Sequence, residues 1–408
     1  MTHAPVSPAA PVSGVADQDW MPRAVRLAEE ATAAAAMNDP AWRPVIAAVP
    51  RHVFVPTFWA LDAYNRPDIQ VRGDDPAQHV TWLDAAYANR SLVTRWAPDT
   101  RSDGTAIRVV TSSASQPSVM AIMLDRLQLT EGMRVLEIGT GTGYHAALLS
   151  RRLGAENVTS IDIDPALVEA ARHRLAAADY QPRLHIGDGS APLPGPAQRF
   201  DRIIATCAVR RVPPAWITQL APGGRLVTPL EIGGAFAVLD AVTLTQISGR
   251  IDPAPLYFMT LRNTCEHTMP PGYAPPIPPT DPAAAHHGLT QVDPRALDEF
   301  DFQLWLALHH PSLRLTHHYR DGAPVAAIVY TAHERAITDY QPAQPQLWPV
   351  RQHHGRPWDT VESAWHSFTR TGRPPRHRIG LTAHANDHQH LWLDTPDSAY
   401  TWPAPPPR

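Results

Sequence analysis

Arg134-Val135-Leu136-Glu137-Ile138-Gly139-Thr140-Gly141-Thr142-Gly143-Tyr144 reads as a buried strand that delivers a glycine-rich turn. Val135, Leu136 and Ile138 form a short apolar run of the kind that parallel strands bury on both faces, and three glycines at alternate positions then break it. The stretch from His145 to Leu153 reads as a helix. Glycines without Cβ atoms let a ligand approach the backbone, and the start of the following helix offers it free N–H groups. A nucleotide-like ligand is expected at this turn.

Spacing narrows the ligand. A dinucleotide fingerprint, G-x-G-x-x-G counted from Gly139, would need its third glycine at position 144, which is Tyr144. The pattern present is Glu137-x-Gly139-x-Gly141-x-Gly143, with Thr140 inside the turn, and its carboxylate precedes the loop, where it is expected to face a cationic ligand. S-adenosylmethionine carries both an ammonium and a sulfonium. The next strand, Val158 to Ile163, brings Asp162 about 20 residues beyond the turn, where an acidic side chain reaches ribose hydroxyls in such βαβ units, with Ile163 beside it. A third strand, Leu184 to Ile186, leads into Gly187-Asp188-Gly189, expected to hold the adenine amino group. Phe200 to Ala205 is a fourth strand, and Gln219 to Leu226 reads as a helix end, a turn and a fifth. Asp164-Pro165 is a good helix start, so Asp164 is expected as the cap and Asp162 as the ligand.

Upstream stand Val49-Pro50-Arg51-His52-Val53-Phe54-Val55-Pro56, then Ala86-Tyr87-Ala88-Asn89-Arg90-Ser91-Leu92, then Ser113-Ala114-Ser115-Gln116-Pro117. In this order, and linked to the glycine turn, they resemble successive landmarks of the protein-L-isoaspartate O-methyltransferase family. The resemblance covers roughly Ala41 to Leu261. It implies an α/β fold, a Rossmann-like class I S-adenosylmethionine-dependent methyltransferase sheet with N-terminal helices, and carboxyl methylation of a peptide or protein bearing Asp or isoaspartate. It also implies that Ser115 lies between cofactor and substrate carboxylate, with Thr111 and Gln116 beside it. The residues alone read this hydroxyl cluster as turn and capping chemistry before the helix Ser118 to Leu127. Asn89 stands where the family commonly has Asp, and the glycines usual before Ser115 are absent, which bears on substrate preference.

Further expectations concern the cleft wall. Arg210 and Arg211 replace small residues after the fourth strand and would attract an acidic peptide, or else form a solvated turn. Leu256-Tyr257-Phe258-Met259-Thr260-Leu261 aligns with the family's closing strand, so Tyr257 and Phe258 are expected in the substrate groove. An extended actinobacterial-type form with an added carboxyl-terminal part is associated with ribosomal peptide maturation of the lanthipeptide and graspetide kinds, and this chain resembles it. The implied substrate is then a macrocyclic precursor peptide, esterified at an Asp that closes to a succinimide (aspartimide) and opens to isoaspartate. General isoaspartyl repair is the alternative, and a non-catalytic scaffold is a third reading.

The 408 residues, 44% hydrophobic and 18% charged, suffice for about two domains. The expected division is a disordered tail over 1–16, a methyltransferase domain with a helical N-terminal part over 17–266, a proline-rich linker over 267–288 and an α+β accessory domain over 289–408. Helices are expected between Asp17 and Val49, and the mixed stretch from Phe58 to Gln78 reads as an insertion beside the site. A formal net charge of −4 argues against nucleic acid as the main partner, and no run reaches membrane-span length. The opening residues lack a signal-peptide pattern, and two cysteines, Cys207 and Cys265, are too few for a disulfide framework, so a cytoplasmic location is expected. All 35 basic residues are Arg. Without lysine there is no pyridoxal phosphate Schiff base and no Walker A lysine. His309-His310, His317-His318 and His353-His354 lack metal-ligand spacing, so no metal is expected; Trp305, Trp358, Trp365 and Trp392 are expected to pack a core or meet a peptide.

Overall fold

A computed structural model describes residues 17–61, 67–100, 106–196, 198–263 and 285–405. The tail expected over 1–16 lies outside them, as do residues 267–284 of the expected linker.

The described residues open with α1 (Asp17–Ala34), α2 (Trp42–Ala48) and α3 (Arg51–Phe54). Alanines 28, 31 and 35 of this region share one buried core with residues of α5 and α6, defined below, so these helices complete the domain's core. β1 (Thr57–Leu61), β2 (Pro67–Arg72), α4 (His79–Ala86), β3 (Leu92–Thr100) and β4 (Ala106–Ala114) follow. The four strands form an antiparallel sheet in the order β2-β1-β3-β4. The insertion expected over Phe58 to Gln78 thus supplies two paired strands, and Thr111, Ser112 and Ser113 of the hydroxyl cluster sit in β4, with Ser115 between that strand and α5 (Pro117–Leu127).

The central sheet begins with β5 (Val135–Ile138), α6 (Tyr144–Leu153), β6 (Val158–Asp162), α7 (Pro165–Ala177), β7 (Arg183–Ile186), β8 (Phe200–Ala205), α8 (Pro214–Gln219) and β9 (Leu220–Pro229). Asp164 caps α7, accepting the N–H groups of Ala166 at 2.9 Å and Leu167 at 3.3 Å, with Pro165 preset for the first turn. β5 pairs in parallel with both β6 and β8, and β8 in parallel with β9. Side chains alternate across the sheet: Val135, Ile204 and Val227 join the core under α6 and α1, while Leu136, Ile203 and Leu226 join the core on the other face. The strand order reverses between β5 and β8, and the carboxyl ends of strands at such a point open a crevice.

β10 (Phe236–Thr243) and β11 (Gln246–Ile251) extend the sheet as a hairpin. The closing strand expected over Leu256 to Leu261 is instead an irregular segment with a single parallel bridge, Ala208 to Thr260. β12 (Ala285–Thr290) starts inside the expected linker, because it pairs with a later strand. α9 (Phe300–His309), β13 (Arg314–Arg320), β14 (Ala323–Tyr330), β15 (Arg335–Asp339), β16 (Trp348–His353) and α10 (Pro357–Arg370) follow. The strands make an antiparallel sheet in the order β12-β16-β15-β14-β13.

The last strands correct the expected boundary at 289. β17 (Ile379–His384), β18 (Gln389–Leu393) and β19 (Thr401–Pro403) return to the central sheet, giving ten strands in the order β19-β18-β17-β11-β10-β9-β8-β5-β6-β7. The physical reason is the edge of β11, whose unpaired backbone groups β17 satisfies from Gln246↔His384 to Arg250↔Gly380. One apolar core runs through: Leu239 and Ile247 share it with Trp305, Phe302, Trp358 and Phe368. Trp392 is buried too, so these tryptophans pack the interior. Arg376, 2% exposed, binds the Gly234 carbonyl at 3.1 Å, the Phe300 carbonyl and Asp301. Gln389 exchanges two hydrogen bonds with the backbone of Val212, at 3.0 and 2.7 Å.

A chain ending at residue 263 would strip β11 of its neighbour and leave the Val212 backbone unpaired. It is expected to lose the cooperative thermal unfolding of the full chain, read by far-UV circular dichroism; a sharp transition at an unchanged midpoint would show that the two parts are separable.

Candidate active site

A cleft of about 580 Å³ opens at the carboxyl ends of β5, β6 and β8. Its floor is the glycine turn. Gly139 has φ +97°, and a Cβ there would stand 2.6 Å from Thr206 Oγ1, so the close approach of this turn to the strand-end at Thr206 admits only glycine. Thr140 and Gly141 line the cleft, whereas Gly143 sits behind it as the N-cap of α6.

Asp162 ends β6 and faces the cleft with Ile163. Its Oδ2 accepts the Gly141 N–H at 2.9 Å and its Oδ1 the Asp164 N–H at 3.1 Å. A carboxylate offers about four lone-pair positions, so about two remain for a ligand's hydroxyls. Burial raises the Asp162 carboxyl pKa from its ordinary value, against the pull of the two N–H groups and of Arg262. A folded-state pKa raised in this way lowers stability above it and relieves the cost as pH falls through it, so hydroxyl donors that favour the ionised form would offset that cost at neutral pH. The residues fit a ribose.

Two acidic residues lie elsewhere than expected. Glu137 does not face the cleft. It shares a sheet face with Val135, has no solvent exposure, and is bound by His145 Nδ1 at 2.7 Å and Ser160 Oγ at 2.5 Å. Asp188 is taken up by its own turn, where Oδ1 accepts the Ser190 N–H at 2.8 Å and the Ser190 hydroxyl at 2.7 Å. Gly189 alone of that turn lines the cleft, and its carbonyl accepts Trp216 Nε1–H at 2.7 Å. Among the described residues, no group of three or more His, Cys, Asp or Glu side chains could hold a metal ion, and no helix is long and apolar enough to cross a membrane.

The opposite wall is β4 and the residues after it. Thr111, Ser115 and Gln116 all line the cleft. The Ser115 carbonyl is held by Arg51 Nη2 at 3.1 Å, and the same guanidinium binds the carbonyls of Ala86, Ala88 and Arg90 at 2.8, 3.0 and 3.2 Å. Arg51 is fully buried, which lowers its pKa to about 10. Asn89 Oδ1 accepts the Ser118 N–H at 3.0 Å, so it helps cap α5, while Gln116 Nε2 donates to Ser118 Oγ at 2.9 Å.

Tyr257 and Phe258 line the cleft, and Tyr257, 64% exposed, stands at the rim with its hydroxyl on Gln303 of α9 at 3.1 Å. Arg210 is not brought here. Its neighbour Arg211 instead donates to Asp387 and to the carbonyls of Ala404 and Pro405, the latter two at 3.3 and 3.1 Å. Among the cleft residues to which sequence reasoning gave no role are His145, Arg262 and Cys207. Arg262 reaches across to the Thr111 carbonyl at 3.3 Å, and continuing the Tyr257 to Leu261 segment by one residue would have found it. The Cys207 thiol is buried and its pKa pushed up, so it stays protonated. No pattern marked His145.

The family model for protein-L-isoaspartate(D-aspartate) O-methyltransferase matches residues 99–248. Protein-L-isoaspartate O-methyltransferase 1 of Anaeromyxobacter sp. is 49% identical over 130 residues, 31% of this chain and 60% of that protein. The enzyme of Ignicoccus hospitalis is 42% identical over 133 residues, 32% of this chain and 63% of that protein. The chain thus spans about three fifths of the length of these relatives. The protein-L-isoaspartate O-methyltransferase of Methylorubrum extorquens is 35% identical over 214 residues, 52% of this chain and 76% of that protein. Identity of this size over three quarters of a relative, together with the turn, Asp162 and the Ser115 wall around one cleft, shows that the chain belongs to the protein-L-isoaspartate O-methyltransferase family.

Proposed function

We propose that this protein is an S-adenosylmethionine-dependent O-methyltransferase acting on a carboxylate of an Asp or isoaspartate residue in a peptide. The observation that carries the reading is that the glycine turn, Asp162 and Ser115 line a single cleft of about 580 Å³. When bound, the cofactor supplies a methyl group on a sulfonium that already has a good leaving group. Asp162 accepts ribose hydroxyls, and Gly139, Thr140 and Gly141 admit the ligand to the backbone. Ser115 orients the substrate carboxylate, its position fixed through the bond from Arg51 to its carbonyl. A carboxylate with a reference pKa of ~4 is ionised at neutral pH, so no general base is required. A hydroxyl donor orients such a nucleophile without neutralising it as an arginine would. Alignment and exclusion of water then do most of the catalysis, and orientation alone can contribute ~7–11 kcal/mol.

For the finer reading, the substrate is an ordinary Asp of a macrocyclic ribosomal precursor peptide, and the methyl ester closes to a succinimide with loss of methanol. Tyr257 supports it: a rim residue of the cleft is held by Gln303 of α9, so the carboxyl-terminal region bears on the substrate wall. Isoaspartyl repair is supported by the names of the relatives and is the competing reading.

Asp162→Ala is expected to weaken S-adenosylmethionine binding by about 2–3 kcal/mol, the loss of charge-assisted hydrogen bonds, with calorimetry as the measurement. Ser115→Ala is expected to slow single-turnover methyl transfer by roughly ten- to a hundredfold with cofactor affinity nearly intact, because the lost bond acts on the reacting carboxylate. The full chain is expected to methylate a macrocyclic precursor at Asp faster than its linear form or a generic isoaspartyl peptide, since remote contacts can be used to align the reacting groups. Mass spectrometry of the three substrates checks this, and fastest methylation of the isoaspartyl peptide would favour repair.

A further inference from the structure

Behind the glycine turn runs a row of buried polar groups that the proposed reaction does not use. Glu137 and Ser160 have no solvent exposure, and Thr140 and His145 are 3% and 7% exposed. Thr140 Oγ1 lies 2.7 Å from Ser160 Oγ, the Ser160 hydroxyl donates to Glu137 Oε2 at 2.5 Å, and His145 Nδ1 lies 2.7 Å from Glu137 Oε1. With Glu137 taken as a carboxylate and the His145 ring as neutral, counting hydrogens gives the directions. The Ser160 hydrogen is committed to Glu137, so Thr140 donates to Ser160. An ionised carboxylate only accepts, so His145 Nδ1 carries the hydrogen. In the neutral ring, Nε2 is then a lone-pair acceptor. It is buried and without a partner, and His145 lines the cleft beside Thr140 and Gly141.

A buried acceptor of this kind is answered by a ligand donor, and the negative charge of Glu137 behind the ring favours a cationic one. We propose that His145 Nε2 accepts a hydrogen bond from the α-amino group of the bound cofactor, with Glu137 as a positioning residue that fixes the tautomer. The inference rests on the reading that the cleft binds S-adenosylmethionine. Of that ligand's donors, the ribose hydroxyls are answered by Asp162, and only the amino group is cationic. The ligand's own carboxylate is an acceptor and suits the free N–H groups at the start of α6. Glu137 thereby acts on the cation through an imidazole, although its own side chain never reaches the cleft.

The test is calorimetry on the full chain with two probes, S-adenosylhomocysteine and its analogue lacking the α-amino group. The parent is expected to bind the complete ligand at least roughly tenfold more tightly, the size of one charge-assisted hydrogen bond. In His145→Phe the two ligands are expected to bind within about twofold of each other, with folding checked by thermal unfolding. Glu137→Gln, nearly isosteric, is expected to reduce the preference by removing the charge while keeping the ring. A parent without amino-group preference overturns the inference, as does a His145→Phe variant that weakens both ligands equally. So does a preference left unchanged by Glu137→Gln, which decides the matter if the ring variant does not fold. Failure of the parent to bind either ligand would instead overturn the cofactor reading itself, and this inference with it.

Discussion

One guanidinium holds the cleft-bearing half of this protein in register. Arg51 comes from α3 and reaches four backbone carbonyls, those of Ala86, Ala88, Arg90 and Ser115, from a position with no solvent exposure. Tyr144 lies under it, with the ring centre 5.7 Å from the guanidinium carbon. Burial lowers its pKa to about 10, still well above neutrality, so the charge persists and is spread over carbonyl dipoles. Three stretches of sequence separated by tens of residues, Val49 to Pro56, Ala86 to Leu92 and Ser113 to Pro117, occur together because they meet at this one side chain. Losing it would leave several buried carbonyls without a donor and release the backbone that places Ser115.

The second constraint is the sheet. Its parallel centre carries the cleft, yet its width depends on strands from the far end of the chain. β17 closes the edge of β11, and Arg376 and Gln389 tie the intervening loops back to Gly234 and Val212. The carboxyl-terminal region is therefore part of the same core as the cleft-bearing strands, and its helix α9 reaches the cleft rim through Gln303 and Tyr257.

How much of this was legible follows from what sequence patterns encode. β5, the turn and α6 were readable because glycine spacing is a backbone requirement, and Asp164 as a cap and Asp162 as a cleft residue followed from local chemistry. Glu137 was misplaced, although alternation along β5 puts it on the face of Val135, away from the crevice; motif spacing names a residue but does not aim its side chain. Asp188 had a nearer partner in Ser190. The five-stranded sheet escaped notice because β12 and β13 are polar and histidine-rich with little buried surface, so the alternation that marks a strand is absent. The return of β17 to β11 is a pairing between residues 134 apart, Ser248 with Thr382, and no local signal carries such a contact.

That distant pairing has a consequence for how the chain comes off the ribosome. Folding is slow when contacts span long stretches of chain, because the loop must close before any pairing rewards it. β11 is complete more than a hundred residues before β17 exists, so during synthesis at about 5–20 residues per second its edge stands open for several seconds at least. An open edge strand is a template for any extended segment, including the same strand of a neighbouring nascent chain. β17 is thus also the protection of β11 against self-association, and that protection arrives only once residues 379–384 have been synthesised.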